Sequence, residues 1–321
     1  MISVIITGGI GKCVAFSALI PKIVEKYGEF NLFSPWPDIF HGVAGVRRSL
    51  DINIEYGYED YFKNNDRYNP EPYNQNDFFK KKIHLIEGFA REFGLEYDPD
   101  SDFAIVPSTF PSALARIQEI KKQGKFIVVQ FMGGNQAMNG KPNDKAMTKD
   151  YPQPLIERTI ALFKEVFPDI NIVNYGLPFE WNIQGTISAA DLPYTAAPYL
   201  LAESETYIAV DSSLQHFSAC QGVNKSGVVI WGATSPVSFG YKHNINLTAE
   251  CTLKDQHCTR PYFQHTSDIV GKGMAWTCPS KSCINVQPEV VVDGIKEILS
   301  KKTASVGEPA AKQKKATEKG A

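Results

Sequence analysis

Four times along this chain a short β-branched or aromatic run ends at glycine or small polar residues and gives way to a helical pattern. Ile2–Ile6 ends at Gly8-Gly9-Ile10-Gly11-Lys12, and Phe126–Phe131 ends at Gly133-Gly134. Tyr207–Val210 ends at Asp211-Ser212-Ser213, and Val228–Trp231 ends at Gly232. Such runs do not alternate with polar residues, so they read as strands buried on both faces. Strands of that kind alternating with helices require parallel sheets joined by right-handed crossovers. The fold class is therefore α/β. A length of 321 residues adds a domain estimate of two. Gln123-Gly124-Lys125 is the expected joint, separating residues 1–122 from 123–300.

The remaining elements follow from periodicity. Phe16, Leu19, Ile20, Ile23, Val24 and Tyr27 form one apolar stripe, predicting a single helix that stops at Gly28. Phe30–Phe33 is the next strand, and residues 51–76, rich in Tyr, Asn and Asp, read as surface loops with one edge strand. Asp77 is the expected cap of a helix that turns Phe79, Ile83, Ile86, Ala90 and Phe93 inward and stops at Gly94. Phe103–Val106 reads as a strand and Ser112–Lys122 as a helix. Pro154 opens a helix with Leu155, Thr159, Leu162, Phe163 and Val166 on its inner face, and Ile170–Tyr175 is a strand. Further helices are expected near Ala196–Glu203, from Asp211-Ser212-Ser213 to Gly222, and over Gln287–Leu299. Residues 301–321 hold Val306 as their one large apolar residue and are expected to be a disordered tail.

Charge and composition exclude some functions. The total of −2 divides into 27 basic and 33 acidic residues over 1–300, a net of −6, and a tail of net +4. An acidic body argues against a broad nucleic-acid-binding surface. No apolar run is long enough for a membrane-spanning helix, and the opening lacks the basic stretch of a signal peptide. The expectation is a cytoplasmic protein with its six Cys reduced. Cys251, Cys258, Cys278 and Cys283 are spaced more loosely than usual zinc-ligand pairs, so packing thiols are the preferred reading and a structural metal the alternative. Phe78-Phe79-Lys80-Lys81-Lys82 is either a solvated helix face or a contact for an anionic acceptor or a peripheral membrane surface.

Three loops can carry chemistry. Gly8–Lys12 is neither a P-loop nor a dinucleotide fingerprint: Ile6 and Cys13 break the first pattern, and Val14 replaces the third Gly of the second. Gly9 and Gly11 still form a turn into a helix start, which either favours anions or simply connects two elements. Asp211-Ser212-Ser213-Leu214-Gln215-His216 lies where a parallel strand ends, the usual ligand edge of an open α/β sheet. Its hydroxyls and first-turn N–H groups can hold a diphosphate, with His216 one turn in; the bland reading is a cap and a packed His. Gly232-Ala233-Thr234-Ser235-Pro236 follows another strand and offers either close approach to a ligand or an ordinary turn.

Taken in order, these pieces resemble the heptosyltransferase-like family 9 glycosyltransferases. Tyr207–Gly222 resembles the family's strand, D-S/T-G-x-x-H and helix, and Val228–Pro236 its strand and G-x-T-x-P. Cys278-Pro279 and Cys283 before a last helix, and the opening strand with its Gly11 loop and Ala-Leu-x-Pro helix, resemble it too. The resemblance implies a GT-B fold, two Rossmann-like domains facing across a cleft. It implies inverting transfer of a hexosyl, heptosyl or pentosyl group from a nucleotide sugar to an acceptor hydroxyl, with no further cofactor. Residues 1–122 would take the acceptor and 123–300 the donor. Asp211, Ser212, Ser213 and His216 would line the donor diphosphate, with Gly232, Thr234 and Ser235 alongside.

One position departs from the family. Its usual opening is Gly-Asp, with Asp as the base, whereas this chain has Lys12. A protonated Lys cannot take a proton. Either the base lies elsewhere in the first domain, with Asp38, Glu71 and Asp77 as candidates, or Lys12 binds phosphate in a divergent, phage-type branch, or the protein binds nucleotide sugars without turning them over. Ser213 for Gly is a smaller departure. The acceptor is a surface glycan such as lipopolysaccharide core, or a hydroxymethylated base in phage-type DNA, for which the Tyr-rich segment and basic tail would provide stacking faces and cations.

Overall fold

Strand β1 (Ile2–Ile5) is buried along its whole length and lies between β2 (Phe30–Ser34) and β4 (Asp66–Tyr68), with β3 (Val46–Asp51) outside β2. The computed structural model describes residues 1–53, 65–97, 103, 108–133, 149–176, 183–252 and 282–306. The first sheet runs β3-β2-β1-β4 with parallel pairing throughout. β4 is the edge strand expected within 51–76.

The helix expected over 16–27 is two helices, α1 (Ile10–Ser17) and α2 (Ile20–Tyr27). Pro21 is the reason. It has no N–H to donate to Ser17 and its ring crowds that turn, so α1 ends and the proline sits in the first turn of α2. Gly28 stops α2 in a positive-φ conformation (φ 76°). The helix expected from Asp77 is also divided, into α3 (Asn76–Phe79) and α4 (Leu85–Glu92), with Lys81 between them at φ 56°. His84 caps α4, its Nδ1 accepting from Ile86 N at 3.3 Å. Phe78, not Phe79, enters the core.

After α5 (Pro111–Lys122), the second sheet collects β5 (Phe126–Gln130), β6 (Asn171–Asn174), β7 (Ile187–Ser188), β8 (Tyr207–Val210), β9 (Val228–Trp231) and β10 (Ile245–Thr248). Their order is β10-β9-β8-β5-β6-β7, again parallel throughout. This is the Rossmann-like order, in which the chain grows outward from β5 to β7 and returns to the other side of β5 with β8. The helices are α6 (Gln153–Val166), α7 (Ala197–Glu203), α8 (Ser213–Phe217), α9 (Pro236–Phe239) and α10 (Pro288–Val306). On α6 the core face is Ile156, Thr159, Ile160 and Phe163, rotated from the expected stripe, while Leu155, Leu162 and Val166 are only half-buried.

β5 shows why its sequence reads as unbroken apolar residues. Ile127 and Val129 pack with α6 and α10 on one face, while Phe126 and Val128 join a core on the other face that continues into the first sheet. α5 ties in as well: it packs on α7, Lys121 pairs with Glu203, and Arg116 Nε donates to Asp191 at 3.1 Å.

Two further expectations change. α10 continues to Val306, so residues 301–306 are helical rather than disordered. Lys301 pairs with Glu297 one turn back (2.6 Å), and Lys302 reaches Glu205. Residues 307–321 lie outside the described residues, as do 104–106 of the expected strand Phe103–Val106. Phe103 itself bridges the turn after α8, donating to Ala219 O (3.2 Å) and accepting from Gln221 N (2.7 Å). No helix among the described residues is long and apolar enough to cross a membrane.

Candidate functional site

Both sheets have a switch point, where successive crossovers leave in opposite directions and a crevice opens at the strand ends. In the first sheet it lies between β1 and β4, in the second between β5 and β8. The Gly8–Lys12 loop leaves β1, Glu71 comes after β4, and the Asp211–Ser213 turn leaves β8, while the Gly232–Ser235 loop leaves the neighbouring strand β9.

At the first switch point, Gly8 and Gly9 lead from β1 into α1, and Trp36 Nε1 donates to Gly8 O at 2.9 Å. Among the described residues no side chain caps α1. Lys12, in its first turn, is buried. Its ammonium donates to both carboxylate oxygens of Glu71, at 2.9 and 2.8 Å, and lies 4.7 Å from the Tyr73 ring centroid. Glu71 lies three residues beyond the end of β4. Two of the four catalytic candidates therefore form one ion pair.

The other two stand apart. Asp77 forms a surface pair with Arg91 (2.9 Å), which also binds Glu87. That hydrogen bond to Arg91 holds the Asp77 carboxyl below its ordinary range. Asp38, half-exposed, accepts from Tyr194 Oη at 3.0 Å and so links the two halves. Trp36 packs edge-on against Tyr194 at 5.4 Å.

At the second switch point, α8 is shorter than expected because the chain turns after Phe217, where Ser218 Oγ bonds back to Gln215 O (2.7 Å). Ser212 stands at the N-cap position but does not cap; its hydroxyl donates to Gln130 Oε1 on β5 (2.5 Å). The crevice is thus laced across its two central strands. Gly133 leaves β5 against the same turn, and a Cβ there would come within 2.9 Å of Asp211 O. Asp211 is buried and paired with Lys149 at 2.7 Å. Burial, the largest single influence, would raise its carboxyl; the Lys149 ammonium, joined by Thr234 and His216, holds it below the ordinary range. Lys149 escapes the sequence reading because only the β5–β8 adjacency brings it to Asp211.

His216 is buried, and burial lowers its pKa to about 3, so the ring is neutral. Nδ1 lies 2.7 Å from Tyr241 Oη, and His84 of the first half packs 5.4 Å from the Tyr241 ring. In the third loop Thr234 and Ser235 are buried, and Ser235 Oγ caps α9 by accepting from Val237 N at 3.2 Å. Gly232 opens the same loop, one residue before Ala233-Thr234-Ser235.

The two switch points meet. A Cβ on Gly11 would stand 2.6 Å from His216 Cδ2 and 3.6 Å from Ser213 Cα. The first turns of α1 and α8 are therefore in direct contact. Phe78 packs edge-on against Phe239 at 5.6 Å, which removes it from any exposed aromatic–basic face and leaves Lys80 and Lys82 as solvated charges.

Of the Cys quartet, Cys251 and the buried Cys283 are described, while Cys258 and Cys278 lie outside the described residues. Among the described residues no group of three or more His, Cys, Asp or Glu could hold a metal. Cys13 and Cys220 are buried thiols, pushed up to about 12 by burial.

No family model matches the chain, and no curated protein matches it. Solved structures do. A glycosyl transferase family 9 protein from Veillonella parvula matches with a TM-score of 0.64 and 12% identity, over 93% of this chain and 97% of that one. The E. coli heptosyltransferase WaaC with ADP matches with 0.56 and 13%, over 93% and 100%. The E. coli ADP-heptose lipopolysaccharide heptosyltransferase II matches with 0.55 and 11%, over 94% and 100%. With two parallel Rossmann-like sheets meeting at their switch points, and with these neighbours matching over nearly their full lengths, the chain has the GT-B fold of the family 9 glycosyltransferases.

Proposed function

We infer that this protein is a glycosyltransferase that moves a sugar from a nucleotide-sugar donor to an acceptor hydroxyl with inversion. The observation that carries the reading is the contact of Gly11 with His216, which sets the ligand edges of two Rossmann-like sheets against one another. A transferase needs that geometry, because donor and acceptor must meet in a water-poor crevice. The first sheet serves the acceptor and the second the donor. The structural neighbours support the donor class: one is a complex with ADP, another an ADP-heptose transferase.

On the donor side, Asp211, Ser212 and Ser213 shape the turn, and α8 begins without a side-chain cap. Its first-turn N–H groups are suited to diphosphate oxygens. Lys149 stands beside the turn, its ammonium paired with Asp211. Stabilising the departing diphosphate is the main electrostatic task, and fixed donors of this kind meet it. Neutral His216, its two ring nitrogens held by Tyr241 and Gln215, contributes shape without adding charge. Gly232, Thr234 and Ser235 follow β9, the strand beside β8.

A glycan is favoured over DNA as acceptor. The body from 1 to 300 carries a net −6, and Lys301 and Lys302 at the start of the basic tail are already paired with Glu297 and Glu205. Incubation with ADP-, UDP-, GDP- and dTDP-sugars, each with and without oligosaccharide acceptors, tests the reading by mass spectrometry. The expected result is release of one nucleoside diphosphate with gain of one sugar on an acceptor. Binding without release across the whole set would establish a nucleotide-sugar-binding protein instead.

A further inference from the structure

The buried ammonium of Lys12 organises a single carboxylate, Glu71, at the first switch point, and the transferase chemistry above lacks a proton acceptor. We propose that Glu71 is the general base and Lys12 its positioning residue. This rests on the glycosyltransferase reading.

Three observations carry it. Glu71 lies three residues beyond the C-terminal end of β4, at the same edge of the sheet from which the β1–α1 loop emerges, the place from which open α/β folds present ligand-facing groups. Both its oxygens are fixed by one donor, at 2.9 and 2.8 Å, while its side chain keeps 27% of its surface open to solvent. A carboxylate oxygen accepts at more than one position, so each retains capacity for a hydroxyl. Lys12 is fixed in turn: its side chain is 5% exposed, its ammonium lies over Tyr73 and Phe89, and its neighbour Gly11 touches His216 of the donor side. The other two carboxylates are committed differently, Asp77 to Arg91 on the surface and Asp38 to Tyr194.

The step balances without another reactant. The acceptor oxygen bonds the anomeric carbon, and the bond from that carbon to the diphosphate oxygen breaks. The hydroxyl proton passes to Glu71 and then to solvent, and the nucleoside diphosphate leaves with the electron pair. With water as acceptor the same step is donor hydrolysis, so it can be followed without the natural acceptor.

The test measures nucleoside diphosphate release from the same four donor classes by wild type, Glu71→Gln, Glu71→Ala, Lys12→Met and Lys12→Arg, with donor affinity by calorimetry and melting temperature as controls. Glu71→Gln should lose about 10²–10⁴-fold in kcat, the usual worth of a general base, with donor affinity within about threefold. Formate should restore part of the Glu71→Ala rate and none of the Lys12→Met rate. Lys12→Arg should retain more activity than Lys12→Met, because it preserves the ion pair. Release by Glu71→Gln at the wild-type rate, or no formate rescue of a folded Glu71→Ala, overturns the base. No release by wild type from any donor overturns the transferase reading as well.

Discussion

Gly11 and His216 stand so close that a methyl group on Gly11 would come within 2.6 Å of the imidazole, although one follows β1 and the other β8. Buried interfaces tolerate added volume poorly. Gly11→Ala should lower stability by about 1–3 kcal/mol, measured by urea unfolding. His216→Ala in the same chain should recover part of that loss, since the clash then has no partner. Additive effects would show that the two helices do not meet as described.

The Lys149–Asp211 pair behaves differently because it is buried. Removing one partner leaves an uncompensated charge, so Lys149→Met should cost about 3–5 kcal/mol, whereas Lys149→Met with Asp211→Asn should cost clearly less. Equal losses in single and double variants would contradict this.

How far these relationships could be read in advance depends on their range. The strands β1, β5, β8 and β9 were legible because burial on both faces leaves an unbroken apolar run. The turn at Asp211-Ser212-Ser213 was legible because strand, turn and helix are local. Pro21 was visible, but the apolar stripe on both sides of it masked the break it makes. The division of 76–92 depends on Lys81 adopting φ 56°, which no pattern signals. Lys149 on Asp211, Glu71 on Lys12 and Tyr241 on His216 arise only from strand order, so sequence could nominate Glu71 but could not pair it.

Acid should weaken the fold through its buried histidines. His216 and His84 titrate near 6.5 when unfolded, whereas burial lowers them to about 3 and about 4 in the folded protein. The unfolded chain therefore binds protons that the folded chain does not, and stability is lost as pH falls below 6.5 toward those values. Each His contributes a slope of up to about 1.4 kcal/mol per pH unit. Urea midpoints between pH 6 and pH 5, above most carboxylate titration, should show this slope, reduced by about one proton in His216→Leu. A flat profile would mean the rings are not buried as neutral groups.

The C-terminal helix separates two truncations. Ending the chain after Val306 should leave the melting temperature unchanged. Ending it after Ser300 removes the last six helical residues, with the exposed Lys301–Glu297 pair and the Lys302–Glu205 pair, and should cost no more than about 1 kcal/mol, the worth of a partly exposed ion pair. A larger loss would show that these residues do more than close those pairs.

The central claim is that the turn from β8 into α8 receives the diphosphate of a nucleotide sugar. Calorimetric titration of ADP, UDP, GDP and dTDP into wild type and Ser213→Asp tests it most directly. Ser213 is only partly buried, so the variant should fold, with its melting temperature as the check. The expected result is saturable binding of at least one diphosphate to wild type and at least tenfold weaker binding to Ser213→Asp, where a fixed negative charge occupies the anion's place. Equal binding by the two proteins, or binding of none of the four, would contradict the claim.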